Sequence, residues 1–202
     1  MPAEGLEWQP SEDVLKDDEV IRLIRIGVTQ LGIQEVRFTG GEPLLRRGLP
    51  MLVRRAKELQ PTAEVSLTTN GLGLDKIATS LAEAGLDRIN ISLDSVRAGD
   101  FHTITRRDRL EDVLAGISAA QAAGLSPVKI NAVLLRGIND DQAVELLDWC
   151  ISRNLELRFV EQMPLDAQHS WSRAMMITAK EIFEALSTAH DLAPAPEPRG
   201  SA

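Results

Sequence analysis

Five short stretches of this 202-residue chain end in residues of the kind that hold small ligands: Thr39-Gly40-Gly41-Glu42-Pro43, Thr68-Thr69-Asn70-Gly71, Ser92 with Asp94-Ser95, Lys129 with Asn131, and Glu161-Gln162-Met163-Pro164. Two adjacent glycines let backbone groups approach a ligand closely, and a carboxylate such as Glu42 accepts hydrogen bonds from an ammonium group. Taken singly, Gly-Gly-Glu-Pro also makes a tight strand-to-helix turn and Thr-Thr-Asn-Gly a hydrogen-bonded turn, with no ligand in either. Their common place at strand ends shifts the balance toward a binding rim. Lys129 stands among Val128, Ile130 and Ala132, and Arg37 between Val36 and Phe38. A buried parallel strand rarely admits such a cation unless it faces a ligand or a partner. Two cations on different strands suit an anionic ligand such as a triphosphate, and structural pairing with Glu161 or Asp94 is an equal alternative on the pattern alone. His102, His169 and His190 show no metal-ligand spacing and are expected at the surface, while Cys150 reads as a core or helix-face residue.

The elements that must position these residues follow from periodicity. Val36 to Thr39, Val65 to Thr68, Arg88 to Leu93, Val128 to Leu134 and Glu156 to Val160 are short, β-rich runs and predict strands. Between them, Leu49 to Leu59, Leu74 to Ala84, Leu110 to Ala123 and Asp140 to Ser152 repeat apolar residues at three- and four-residue spacing and predict crossover helices, with another from about Asp17 to Gln30 in front. Gly32, Gly85 and Gly124, each followed by an apolar residue, are the expected left-handed helix ends. Strand, helix and cap in this rhythm make βα units, hence a parallel sheet, either open and doubly wound or curled into a barrel. In such sheets ligands sit at the carboxyl ends of the strands.

Composition narrows the function classes. A length of 202 residues predicts one domain, and no apolar run approaches the ~20 residues of a membrane span. A net charge of −8 disfavours a nucleic-acid surface. The start lacks a secretory signal and there is a single cysteine, which points to a reducing, cytoplasmic setting and excludes an internal disulfide or a multi-cysteine metal site. Ala193-Pro194-Ala195-Pro196-Glu197-Pro198 is expected not to pack.

One resemblance adds to this reading. Val36-Arg37-Phe38-Thr39-Gly40-Gly41-Glu42-Pro43-Leu44-Leu45-Arg46-Arg47, Thr68-Thr69-Asn70-Gly71, Asn90-Ile91-Ser92-Leu93-Asp94-Ser95, Phe101-His102-Thr103-Ile104-Thr105, Val128-Lys129-Ile130-Asn131 and Leu157-Arg158-Phe159-Val160-Glu161-Gln162-Met163 form one ordered set. In order and spacing it resembles the MoaA-type GTP 3',8-cyclases, a branch of the radical S-adenosylmethionine superfamily in molybdenum-cofactor biosynthesis, from Met1 to about Leu186. The resemblance implies an α/β fold, an incomplete (βα) TIM-type barrel over residues 1–190 with the first strand and cluster loop missing; the Pro-rich composition marks residues 191–202 as an expected disordered tail. The resemblance also implies S-adenosylmethionine contacts at Gly41, Ser92 and Met163, further cofactor contacts at Glu42 and Asn70, and GTP contacts at Arg37, Thr68 and Lys129. In that family a 4Fe-4S cluster reduces S-adenosylmethionine to a 5'-deoxyadenosyl radical, which takes the 3' hydrogen of GTP so that C3' joins C8. Met1 to Trp8 resembles the residues that follow the family's Cys-x3-Cys-x2-Cys, and neither that motif nor the C-terminal cysteines occur in this sequence. No catalytic or metal residue is therefore assigned, and these residues alone are expected to be inactive. GTP is the implied partner, with no nucleic acid or membrane and a homodimer left open; the alternative is a cluster-free, nucleotide-binding homologue.

Overall fold

The computed structural model describes residues 14–163 and 172–194. Met1 to Trp8, Pro164, His169 and residues 195–202 of the expected tail lie outside the described residues. Helix α1 (Asp17–Gln30) comes first, followed by β1 (Glu35–Phe38), α2 (Leu49–Lys57), β2 (Glu64–Thr69), α3 (Ala78–Glu83) and β3 (Arg88–Ser92). Then come α4 (Ala98–Thr105), α5 (Leu110–Ala122), β4 (Val128–Ala132), α6 (Ala143–Ser152), β5 (Glu156–Phe159) and α7 (Ala179–Leu186). The five expected strands and five expected helices are present, and α4 and α7 are additional. The expected caps Gly32, Gly85 and Gly124 have φ of 71°, 93° and 81°, the left-handed region where glycine carries no Cβ penalty.

The strands form one parallel sheet whose spatial order, β1-β2-β3-β4-β5, is the order along the chain. That order decides between the two architectures left open by the periodicity. A doubly wound sheet reverses its direction of growth and so gains helices on both faces. Here the order never reverses, and right-handed crossovers carry the connecting helices to one face. The sheet is an arc of a TIM-type barrel, with one face under helices and the other bare of them.

Side-chain alternation matches this division. Val65 and Leu67, Ile89 and Ile91, and Val128 and Ile130 are buried against Val53 and Ala56 of α2, Leu81 of α3 and Ile117 of α5. Burial of such an aliphatic side chain contributes roughly 1.5–3 kcal/mol, so this face is the main source of apolar stabilisation. Ala132 belongs to a second cluster with Leu146 of α6 and Ile182 of α7, against which Leu157 and Phe159 of β5 pack. Cys150 is buried in α6 as expected, with its thiol pushed up to about 12, chiefly by desolvation. His102 is exposed beside Asp108, whereas His190 is only 25% exposed beside Asp148, more buried than the sequence suggests.

Candidate functional site: the bare face of the sheet

The alternate strand residues, which point away from the helices, are polar without exception: Glu35 and Arg37 on β1, Glu64, Ser66 and Thr68 on β2, Arg88, Asn90 and Ser92 on β3, Lys129 and Asn131 on β4, Glu156 and Arg158 on β5. Register arranges them in rows. Arg37, Ser66 and Arg88 are Cα partners in succession; one step toward the carboxyl ends, so are Thr68, Asn90, Lys129 and Glu156; and a further step gives Ser92, Asn131 and Arg158. With strands spaced about 4.8 Å apart, Thr68 and Lys129 stand roughly 10 Å apart across the face.

Arg37, Arg88 and Lys129 are paired within the face. Arg37 Nη2 donates to Glu35 Oε1 at 3.0 Å, and its Nε donates to Ser66 Oγ at 3.4 Å. Lys129, only 8% exposed, reaches Glu156 Oε2 at 3.0 Å. The structural partners considered for these cations, Glu161 and Asp94, are thus corrected to Glu35 and Glu156, each of which lies on the same face, two residues or one strand away. Glu161 instead accepts the backbone N–H of Ala179 at 2.7 Å, and Asp94 Oδ1 accepts that of Val133 at 2.8 Å. A second difference is depth: Arg37 and Lys129 stand within the strands, below the rim rather than on it. The Arg158 side chain makes no ion pair or hydrogen bond among the described residues, and beside it Asn131 Oδ1 is buried without a hydrogen-bond partner there.

At the rim, Glu42 ties two loops together. Its Oε1 accepts from Leu44 N at 3.0 Å and from the Thr69 hydroxyl at 2.7 Å, and its Oε2 accepts from Asn70 N at 2.9 Å. Three of the roughly four acceptor positions of the carboxylate are used, so its first effect is to fix the Thr-Thr-Asn-Gly turn against the Gly-Gly turn. Asn70 Oδ1 accepts Leu72 N at 2.9 Å, which closes that turn from within. Gly40 and Gly41 are exposed, and a Cβ at either would meet nothing within 4 Å. Their backbone therefore opens onto free space. Ser92 is exposed at the end of β3, and Met163 is 59% exposed beyond β5.

The loop residues after Ser92 serve a different purpose from the rim role expected of them. Asn139 Nδ2 donates to Asp94 O at 2.7 Å and Val133 O at 3.0 Å, while Ser95 donates to Gln142 Oε1 at 2.6 Å and Gln142 Nε2 to Asp100 at 2.7 Å. Ser95, Asn139 and Gln142 are fully buried, so this bonded set locks the loop after β3 to the loop after β4. Desolvation raises the Asp94 carboxyl above its ordinary value, partly opposed by the Val133 N–H.

Sequence reasoning brought Arg37, Thr68, Ser92 and Lys129 to this face and missed Glu35, Arg88, Glu156 and the contribution of Arg158. The signal was present in the period-two pattern, Glu35-x-Arg37, Arg88-x-Asn90-x-Ser92 and Glu156-x-Arg158, which marks a wholly polar face.

Against known proteins, the model of the Radical SAM superfamily matches residues 4–150. A GTP 3',8-cyclase of Streptomyces coelicolor is 58% identical over 203 residues, covering 100% of this chain and 60% of the relative. A GTP 3',8-cyclase of Corynebacterium glutamicum is 54% identical over 206 residues, covering 100% of this chain and 55% of the relative. The chain thus spans between 55% and 60% of the length of these curated relatives. Among solved structures, a radical SAM methyltransferase from Sphaerobacter thermophilus matches with a TM-score of 0.60 at 17% identity, over 86% of this chain and 55% of that one. At that identity the likeness concerns the fold alone.

Proposed function

This chain belongs to the Radical SAM superfamily, and from that premise we propose that it serves GTP 3',8-cyclisation in molybdenum-cofactor biosynthesis, in which GTP becomes 3',8-cyclo-7,8-dihydro-GTP. The observation that carries the reading is the polar face, where Thr68, Asn90 and Lys129 form one row between Arg37 on one side and Arg158 on the other. Lys129, Arg37 and Arg158 hold the phosphate chain by charge-assisted hydrogen bonds, and Thr68 orients the nucleoside. The names and identities of the Streptomyces and Corynebacterium relatives support the same substrate.

S-adenosylmethionine fits the rim. The open backbone at Gly40-Gly41 admits its methionyl group, and the exposed Ser92 and Met163 and the half-buried Asn70 offer contacts to the rest of the molecule. Glu42 positions Gly41 and Asn70 through the loop bonds described above and has acceptor capacity left for an ammonium group. When bound together with a reducing cluster, this cofactor supplies the radical chemistry; the protein residues orient GTP and neutralise its charge. A 4Fe-4S cluster does not fit these residues. The one thiol, Cys150, is buried in a helix with its ionisation suppressed, so cluster ligands are not drawn from this sequence. An unpaired cysteine agrees with a reducing, cytoplasmic setting.

The test is calorimetric titration of the protein with GTP beside ATP and guanosine. GTP should bind more tightly than guanosine, and Lys129→Ala or Arg37→Ala should weaken it by about tenfold, the equivalent of ~1.4 kcal/mol. Equal GTP affinity in the parent and in both variants, at low and high salt, would remove the substrate assignment from this face.

A further inference from the structure

Glu35 is shared between two guanidinium groups. Its Oε1 accepts from Arg37 Nη2 at 3.0 Å and from Arg88 Nη2 at 2.6 Å. Arg88 also ion-pairs through Nε with Glu64 of the neighbouring strand. These groups are partly withdrawn from water: 30% of the Glu35 side chain is exposed, 29% of Arg37 and 18% of Arg88.

A guanidinium already bound to a carboxylate is not free to bind a ligand anion. For Arg37 to turn toward a phosphate it must leave Glu35, and a half-buried carboxylate stripped of its cation is penalised by lost pairing and desolvation. Arg88 removes that penalty. It makes the shorter contact to Glu35, is the more buried of the two arginines, and is held in place from its other side by Glu64, so it remains when Arg37 departs. We propose that Arg88 is a positioning residue for anion binding: it retains Glu35 and thereby releases Arg37 to the phosphate chain of a nucleotide. The inference rests on the reading of Arg37 as a ligand cation. Arg88 acts through Glu35, to which its Nη2 donates, with its Nε facing Glu64.

The arrangement fixes both signs and partners. Removal of Arg88 leaves Glu35 wholly dependent on Arg37 and weakens anion binding; removal of the Glu35 charge frees Arg37 and strengthens it. The experiment is calorimetric titration of the full-length protein with inorganic tripolyphosphate and, in parallel, GTP. Arg88→Met should lose about tenfold in affinity for both, within the usual range for contacting residues. Adding Glu35→Gln to Arg88→Met should restore the parent affinity, whereas adding Glu64→Gln, which makes the same change in net charge next to the same arginine, should not. Equal rescue by the two glutamine variants would show an effect of summed charge and overturn the inference. Arg88→Lys, which keeps one donor for Glu35, should bind much better than Arg88→Met; affinity as poor as that of Arg88→Met in a variant with the parent's thermal unfolding midpoint would also overturn it. If Arg37→Ala weakens binding while Arg88→Met does not, Arg37 stands as a ligand cation and the positioning role is lost. If Arg37→Ala binds tripolyphosphate as the parent does, or the parent binds none, the reading of Arg37 itself fails and takes this inference with it.

Discussion

Asp94 shows how a single residue can couple the candidate site to pH. Its carboxyl is raised above the ordinary 3.8 because burial disfavours the charged form. A raised carboxyl holds its proton longer in the folded chain than in the unfolded one, so its contribution is favourable below the ordinary value and is lost as pH climbs through the raised one. Asp94→Asn keeps an oxygen for the Val133 N–H and removes the charge. Urea unfolding from pH 4 to pH 8 should therefore show the parent losing stability relative to Asp94→Asn as pH rises through that window; parallel curves would mean that Asp94 does not titrate there. Arg37 and Lys129 were legible in the sequence because a cation inside a β-branched run is an anomaly visible within one strand. Their partners were not: Glu35 and Glu156 open their strands, where a charge reads as a boundary, and the register that sets Lys129 opposite Glu156 is written in neither strand alone.

Among the elements, α5 constrains the Thr-Thr-Asn-Gly turn most directly. A Cβ on Gly116 would stand 2.6 Å from the Gly71 carbonyl oxygen and 3.1 Å from Leu74, so the helix packs against the turn only because this residue has no side chain. Gly116→Ala should destabilise by about 1–3 kcal/mol through overpacking, since backbone cannot yield as a flexible side chain does. It should also weaken ligand binding, because the displaced turn carries Thr68 and Asn70; an unchanged thermal midpoint would show that the turn can move freely. Helix α7 starts at a capping box in which Thr178 accepts Glu181 N at 3.2 Å and Glu181 accepts Thr178 N at 2.8 Å. Arg136 adds a 2.7 Å contact and, as the largest cause, holds the Glu181 carboxyl down to about 2. Thr178→Ala should cost about 1 kcal/mol in chemical denaturation, and a cost indistinguishable from zero would show the cap to be redundant. This box, Thr178-x-x-Glu181, was a readable helix start; α4 gave no comparable sign, because only Phe101 of its eight residues is buried and its apolar pattern is weak.

For the molecule as a whole, topology was the most legible level, since five strands separated by capped helices admit little but a parallel sheet. The choice of a barrel arc over a doubly wound sheet was not contained in periodicity; it needed the spatial order of the strands, a long-range property. Cysteine content also makes a claim at this scale: anaerobic reconstitution of these 202 residues alone should yield no stoichiometric 4Fe-4S cluster, because one thiol cannot replace the several a cluster requires. Iron and sulfide retained with the cluster's visible absorption, and still retained in Cys150→Ala, would contradict that account. The alternation between apolar and polar faces has a further consequence, for assembly of the chain. If a strand such as β4 paired one residue out of step, Lys129 and Asn131 would be thrust among the side chains of α5 while Ile130 was expelled to the bare side. Half-correct sheets are thereby made unstable, and the polar face doubles as a proofreading device during folding. One residue inserted within β3 or β4 should abolish recovery of folded protein, while the same insertion in the loop between α5 and β4 should be tolerated; refolding yields after dilution from urea would tell the two apart.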